Sequence, residues 1–403
     1  MSSLPTVLVK PGEADRILAG HPWIYHGSIL RLTGPAENGQ LVQVKDHRQR
    51  FLGTGFYNGQ SKINVRMASR ERVEVDRSYF RDRVSAALRV RQRHMPGARS
   101  FRVVNSESDF LSGLIVDKYE DVLVAQFASL AMDVRKALVV EVLREMFSPR
   151  AILERSDMAS RKFEGLEESH GLLAGALEGP VEVEMNGLRF HTNLKEGHKT
   201  GMYLDQQENY ARAAELAARG GAKRALDCFT FQGGFSLHLA RAGVEQVHGL
   251  DQSEEAVGSA RHHARVNGLE AACTFEAANV FDWLKAHTAA GPHEKLIPAF
   301  DVVVLDPPSF TRTRRAVPDA LRGYKEINLR AMRLLVPGGC LVTCTCSYHM
   351  HPDLFAEMLH AASIDSHAPM VLVEMRGQAR DHPVLVGVPE TSYLTCAILR
   401  RVE

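Results

Sequence analysis

From about residue 185 onward, apolar residues gather in short continuous runs separated by amphipathic stretches. The runs are RALDCFT, QVHGLDQ, CTFEAA, DVVVLDPP and CLVTCTCS. Short, continuously apolar runs suit strands buried on both faces. Their alternation with helical stretches predicts a doubly wound parallel sheet with helices on both faces. VEVEMNGLRFHTNL, just before the first run, reads as a hairpin.

The first half of the chain has a different pattern. Residues 1–72 read as all-β, with LVQVKD, FLGTGFYN and INVRMAS as strands punctuated by Gly, Asn and Pro. Trp23 is a core aromatic in preference to a stacking platform. Phe80, Val84, Leu88 and Arg91 recur at three or four residues and predict a helix over 78–94. A hairpin at 113–127, a helix at about 130–147 and a strand at 151–157 complete an α+β unit. The Gly-rich stretch 164–180 reads as a linker or a further hairpin. The expected division is therefore 1–72, 73–180 and 181–403.

Composition adds compartment and partner. The 403 residues are 45% apolar and 24% charged, ordinary for a globular protein. No apolar run approaches the roughly 18 residues that span a bilayer, and the first residues carry no signal-peptide core. Six scattered cysteines do not make a disulfide framework. These features predict a cytoplasmic protein with no membrane partner. The net charge of +1 conceals an asymmetry: residues 1–100 hold 17 Lys/Arg against 8 Asp/Glu. Arg81, Arg89 and Arg93 are candidate phosphate contacts. On charge alone, a polyanion-binding half and a solvated basic helix weigh equally.

Candidate chemistry sits at the expected strand ends, where ligands bind in such sheets. The first strand ends in Asp227 and turns through Gly233 and Gly234 into a helix. The second ends in Asp251, placed for ribose hydroxyls, although a helix N-cap is an equal reading for that residue alone. Asn279 follows the third strand. With neighbours Phe229, Phe235, Gln252 and Val280, these positions describe a nucleoside pocket without a G-x-G-x-x-G phosphate cradle. S-adenosylmethionine (SAM) fits such a pocket, and no metal is expected.

The fourth strand ends in Asp306-Pro307-Pro308, and the prolines hold the acid at the strand tip. A carboxylate there can meet the amino and ring-nitrogen edge of a planar base. The next strand brings Cys346 to the same edge. A thiolate adding to C6 of a pyrimidine would make C5 nucleophilic enough to accept a methyl group. Cys340 and Cys344 also lie on this strand. Cys340 reads as a small strand residue, and Cys346 lies nearer the strand end than Cys344.

Taken together, GHKTGMYLDQQENY, LDCFTFQGGFSLHLA, VHGLDQS, LDPPSF, GYKEIN and TCTCSYHM resemble, in order, the motifs of the three-domain 23S rRNA cytosine-5 methyltransferases. The N-terminal KPGEADRILAGHPWIYHGSI and FLGTGFYNGQSKINVRM resemble that family's PUA domain. NSESDFLSGLIVDKYEDVLVAQF is similar to its central domain. The resemblance implies an α/β chain: an N-terminal PUA β-barrel, a central α+β domain and a C-terminal Rossmann-like class I methyltransferase domain. It implies Cys346 as nucleophile and Asp306 as the acid contacting the base, with Asp306 also expected at the cofactor. Lys199, Thr200, Tyr203, Asp205 and Gln206 match a segment lining the cofactor or target pocket, and Tyr324 and Lys325 are expected at the RNA. The implied partner is 23S rRNA or a large-subunit precursor, with a homodimer left open. A guanine methyltransferase without a thiolate, a small-molecule methyltransferase and a non-catalytic RNA-binding assembly factor stand as alternatives.

Overall fold

The computed structural model describes residues 4–195, 201–289, 298–311 and 313–402. The chain separates into two compact units. The first comprises 1–183, 192–204 and 380–391, and the second 184–191, 205–379 and 392–403.

Two sheets make up the first unit. One has six strands in the order Trp23–Tyr25, Ile63–Ser69, Phe51–Tyr57, Leu41–Lys45, Thr6–Val9, Ile29–Thr33. All its pairings are antiparallel except Thr6–Val9 with Leu41–Lys45. Val7, Val9, Ile24, Val42, Val44 and Val65 fill it, as period-two alternation requires. Trp23 is half-buried, and its indole N–H donates to Glu107 at 3.0 Å. The second sheet has five strands, ordered Ser169–Gly175, Ala151–Ser156, Val122–Phe127, Leu114–Tyr119, Phe101–Asn105. The 164–180 stretch thus supplies neither a linker nor a separate hairpin but an edge strand, antiparallel to Ala151–Ser156.

The helix expected at 78–94 runs Arg77–His94, capped by the Asp76 carboxylate on the Tyr79 N–H. Its Phe80 and Val84 share one core with Phe56 and Ala68 of the first sheet and Phe101 and Val104 of the second. Arg91 continues that buried stripe although it is charged. Its guanidinium meets both Asp109 oxygens at 2.6 and 2.7 Å and the carbonyls of Arg102 and Asp381. A charge tolerates burial only when it is paired and hydrogen-bonded in this way. The helix expected at 130–147 is two helices, Leu130–Asp133 and Lys136–Phe147. At the break, Arg135 donates to the carbonyls of Ala131 and Gly39 and covers the Phe56 ring.

The second unit is the expected wound sheet, and its elements are numbered here. In chain order they are α1 (Gln207–Arg219), β1 (Arg224–Cys228), α2 (Gly234–Arg241), β2 (Gln246–Asp251), α3 (Glu254–Val266), β3 (Cys273–Ala277), α4 (Val280–Thr288), β4 (Phe300–Leu305), α5 (Val317–Leu334), β5 (Leu335–Thr345), α6 (Pro352–Ser366), β6 (Met370–Arg376) and β7 (Thr395–Arg401). The strand order is 3-2-1-4-5-7-6. Strands β1 to β5 are parallel, and β7 runs antiparallel to both β5 and β6. The order reverses between β1 and β4, which opens a crevice beyond their carboxyl ends. Among the described residues, no helix is long and apolar enough to cross a membrane.

Candidate active site

The carboxyl end of β1 is built around Asp227, which is fully buried. Its Oδ2 accepts from the Thr230 hydroxyl (2.7 Å), the Ser236 hydroxyl (2.6 Å) and the Ser236 N–H (3.0 Å). Its Oδ1 is buried without a hydrogen-bond partner. Burial is the largest influence and pushes the carboxyl up to about 6, against the pull of Ser236 and Thr230. An unpaired acceptor of this kind suits a cationic donor brought by a ligand.

The turn that follows is tightly wound. Phe229, Phe231 and Gly233 all have positive φ, at 65°, 49° and 87°. Gly233 is the N-cap of α2. Gly234 meets a protein constraint of its own: a Cβ there would lie 2.6 Å from the Tyr210 ring. The Phe235 ring is 3% exposed and stacks edge-on against Tyr210, so its side chain belongs to the core.

At the end of β2, Asp251 accepts from the Phe231 and Ser253 N–H groups, both at 2.9 Å, and remains half-exposed. The N-cap of α3 is Ser253, so the capping role expected of Asp251 falls to its neighbour. Gln252 is exposed beside it. After β3, Asn279 caps α4 through its carbonyl oxygen and is exposed, leaving its amide N–H groups available to donate. The Val280 side chain is 3% exposed in the core under α5, so a contact to a cofactor falls to its backbone. Asp227, Asp251 and Asn279 therefore lie at the ends of three adjacent parallel strands. This buried acceptor, half-exposed carboxylate and exposed amide suit the amino-acid tail, ribose and adenine of SAM.

Asp306 follows β4, and the Gln206 amide donates to its Oδ1 at 2.9 Å. Gln206 is held by Asn209 (2.7 Å), which in turn bonds Arg376 and the Gly377 carbonyl. Asp205 is buried, accepts from the Tyr393 hydroxyl at 2.8 Å, and holds the Ala379 N–H on its carbonyl. Gln206 thus holds one oxygen of the acid in place. Tyr203 is half-buried in the first unit. Lys199 and Thr200 lie outside the described residues.

Leu305 pairs with Thr343, so Asp306 falls level with Cys344, and Cys346 lies two residues further out. Cys344 is fully buried. Its thiol is pushed well above the ordinary range, first by a hydrogen bond with Cys396 and then by burial. Cys346, just past the strand, is only partly buried. Burial separates two cysteines that sequence spacing leaves alike.

The expected RNA contacts divide. Arg81, Arg89 and Arg93 are exposed on one helix. Tyr324 is fully buried, with its ring 4.4 Å from that of Phe310, and cannot touch RNA. Lys325 is tied to Asp365 at 2.6 Å. Burial of Tyr324 was readable from α5, where Ala320, Tyr324, Ile327, Ala331 and Leu334 form one apolar stripe. The shell that sequence reasoning missed consists of Thr230, Ser236, Asn209, Ser309 and Ser347. Thr230 and Ser236 lie inside the β1 turn motif, but short hydroxyl residues near strand ends carry little signal of their own.

Sheet order and strand-end groups together define a SAM-dependent methyltransferase. Residues 166–380 match the family described as S-adenosylmethionine-dependent methyltransferase, and residues 7–70 match the PUA-like domain. Ribosomal RNA large subunit methyltransferase I of Shewanella amazonensis is 37% identical over 98% of both chains, and that of Aeromonas salmonicida 36% over 98% of both. The chain belongs to this methyltransferase I family. Among solved structures, one from Streptococcus mutans assigned to the SAM-dependent methyltransferases aligns at a TM-score of 0.79 and 18% identity, covering 98% of this chain and 99% of that one. Another, complexed with SAH, aligns at 0.81 and 19% over the same shares. At these identities they speak for the fold.

Proposed function

We propose that this protein methylates C5 of a cytosine in 23S rRNA, using Cys346 as a transient covalent nucleophile. The names of its relatives support the RNA. The observation that carries the base and the mechanism is a partly exposed Cys346 just past the end of the strand adjacent to the one that leads into Asp306, the acid being braced by Gln206. The PUA-like domain and exposed Arg81, Arg89 and Arg93 hold RNA, chiefly through phosphates. The target cytosine leaves its stack to enter the crevice.

Asp306 engages the amino and N3 edge of the base. The Cys346 thiolate adds to C6, which raises electron density at C5. Bound SAM supplies an electrophilic methyl group. Loss of the C5 proton to a base and expulsion of the thiolate then restore the aromatic ring. Nucleotide-resolution mapping of 23S rRNA treated with this protein and SAM tests the reading. One new 5-methylcytidine is expected; a methylguanosine instead would overturn it.

Asp227 takes the amino group of the cofactor on its unpaired Oδ1. Its carboxyl titrates near 6 in the fold, above its ordinary 3.8. A raised carboxyl favours the protonated protein. Its contribution to ligand-free stability is full below about 3.8 and is lost as pH rises through 6. The cationic ligand prefers the ionised form. Affinity for SAH is therefore expected to rise about 10-fold from pH 5 to pH 7, the change in ionised fraction of such a group. Calorimetry should show this dependence in the wild type and its absence in Asp227→Asn.

A further inference from the structure

The buried phenol of Tyr324 has a function its packing does not require. Phenylalanine would fill the same space against Phe310 and Phe355, and a buried hydroxyl is unfavourable unless it is hydrogen-bonded. The partners of this hydroxyl are specific. The Thr345 hydroxyl donates to it at 2.8 Å, and the Ser347 hydroxyl lies 2.9 Å away. These are the two residues that flank Cys346.

The chain of hydroxyls continues. Ser347 Oγ lies 2.9 Å from Ser309 Oγ, and Ser309 donates to the Thr311 carbonyl at 2.8 Å. Each hydroxyl has one proton, so the two ends fix the direction throughout. Thr345 donates to Tyr324, Tyr324 to Ser347, Ser347 to Ser309, and Ser309 to the backbone. The Ser347 N–H also returns to Thr345 Oγ1 at 3.2 Å, closing the turn around position 346. Ser309 is three residues beyond Asp306, on the loop that carries it. The Ser347–Ser309 bond joins the segment bearing the sulfur to the segment bearing the acid. The phenol holds both residues that flank the sulfur and orients Ser347 for that bond, while its ring packs on Phe310 of the acid's loop.

We propose that Tyr324 is a positioning residue that fixes the Cys346 turn against the Asp306 loop. This rests on the covalent reading above. Attack on C6 requires the sulfur and the edge-binding acid to hold one base together, and misplacement by about 1 Å costs about 100-fold in rate. Packing alone fixes the ring of Tyr324, whereas its hydroxyl fixes the turn.

The test is Tyr324→Phe in the full chain, assayed with 23S rRNA and SAM, and with RNA containing 5-azacytidine to trap the covalent adduct. We expect kcat and the rate of adduct formation to fall together by about 10- to 100-fold. The KM for RNA and the affinity for SAH should stay within about 2-fold, a split that loss of folding alone would not produce. Thr345→Val, which removes both the donor into the phenol and the acceptor of the Ser347 N–H while keeping the side-chain shape, should move the same two rates in the same direction. It decides the matter should Tyr324→Phe fail to fold. Wild-type kcat and adduct rate in either folded variant would overturn the proposal, even with a lowered Tm. Absence of a wild-type adduct during turnover would instead remove the covalent reading, a separate failure.

Discussion

Cys346→Ser is expected to lower methyl transfer to RNA by at least about 10³-fold while leaving SAH binding intact. Removing a covalent nucleophile eliminates the route and does not merely weaken it. The paired control is Cys344→Ser. Cys344 is fully buried, and the Cys396 thiol together with burial keeps it protonated. Its replacement should change kcat by no more than a few fold. Steady-state kinetics with 23S rRNA, read beside trapping by 5-azacytidine RNA, checks both variants. Full activity in Cys346→Ser would end the covalent mechanism. Loss in Cys344→Ser with retention in Cys346→Ser would move the nucleophile two residues inward.

The second large effect belongs to Asp306→Asn. The substitution keeps the shape and removes the charge. It also turns an acceptor for the Gln206 amide into a group that can present an N–H₂ to it. A base-edge acid that shares protons with the ring contributes about 10² to 10⁴ in rate. The expected result is a fall in kcat of that order with little change in SAH affinity. Gln206→Ala should give a smaller loss in the same parameter, because it frees the acid without removing it. A kcat within about 3-fold of wild type in Asp306→Asn would place base recognition elsewhere.

Much of the site was legible because strand ends announce themselves. An apolar run that stops at Asp227, Asp251 or Asp306 places that carboxylate at the sheet edge whatever surrounds it. The neighbours were less legible. Gly234 reads as a ligand-facing glycine, yet it also meets Tyr210, an aromatic 24 residues earlier. Phe235 and Val280 flank true strand-end positions and look the same in sequence, but the helices they begin turn their side chains into the core. Tyr324 looks like an RNA contact because it follows the Asp-Pro-Pro motif. The apolar stripe on its own helix tells otherwise, and the local pattern outweighs the motif. The basic N-terminal surplus is also partly neutralised by carboxylates: half-buried Arg66 and buried Arg91 are held in ion pairs, whereas Arg77, beside Glu141 and Glu145, Arg81, beside Asp82, and Arg89 and Arg93 are exposed.

The sequence by itself determined the succession of strands and helices, the acids at strand tips and the class of cofactor. Those follow from spacings of two to four residues and from where apolar runs stop, which any window of the chain displays. Only the tertiary structure decided how deeply each cysteine is buried, which glycine makes room for a ring, and which tyrosine reaches the turn around Cys346. These outcomes depend on segments tens to hundreds of residues apart that pack against one another, and burial and hydrogen bonding across such contacts leave no periodic trace in the chain.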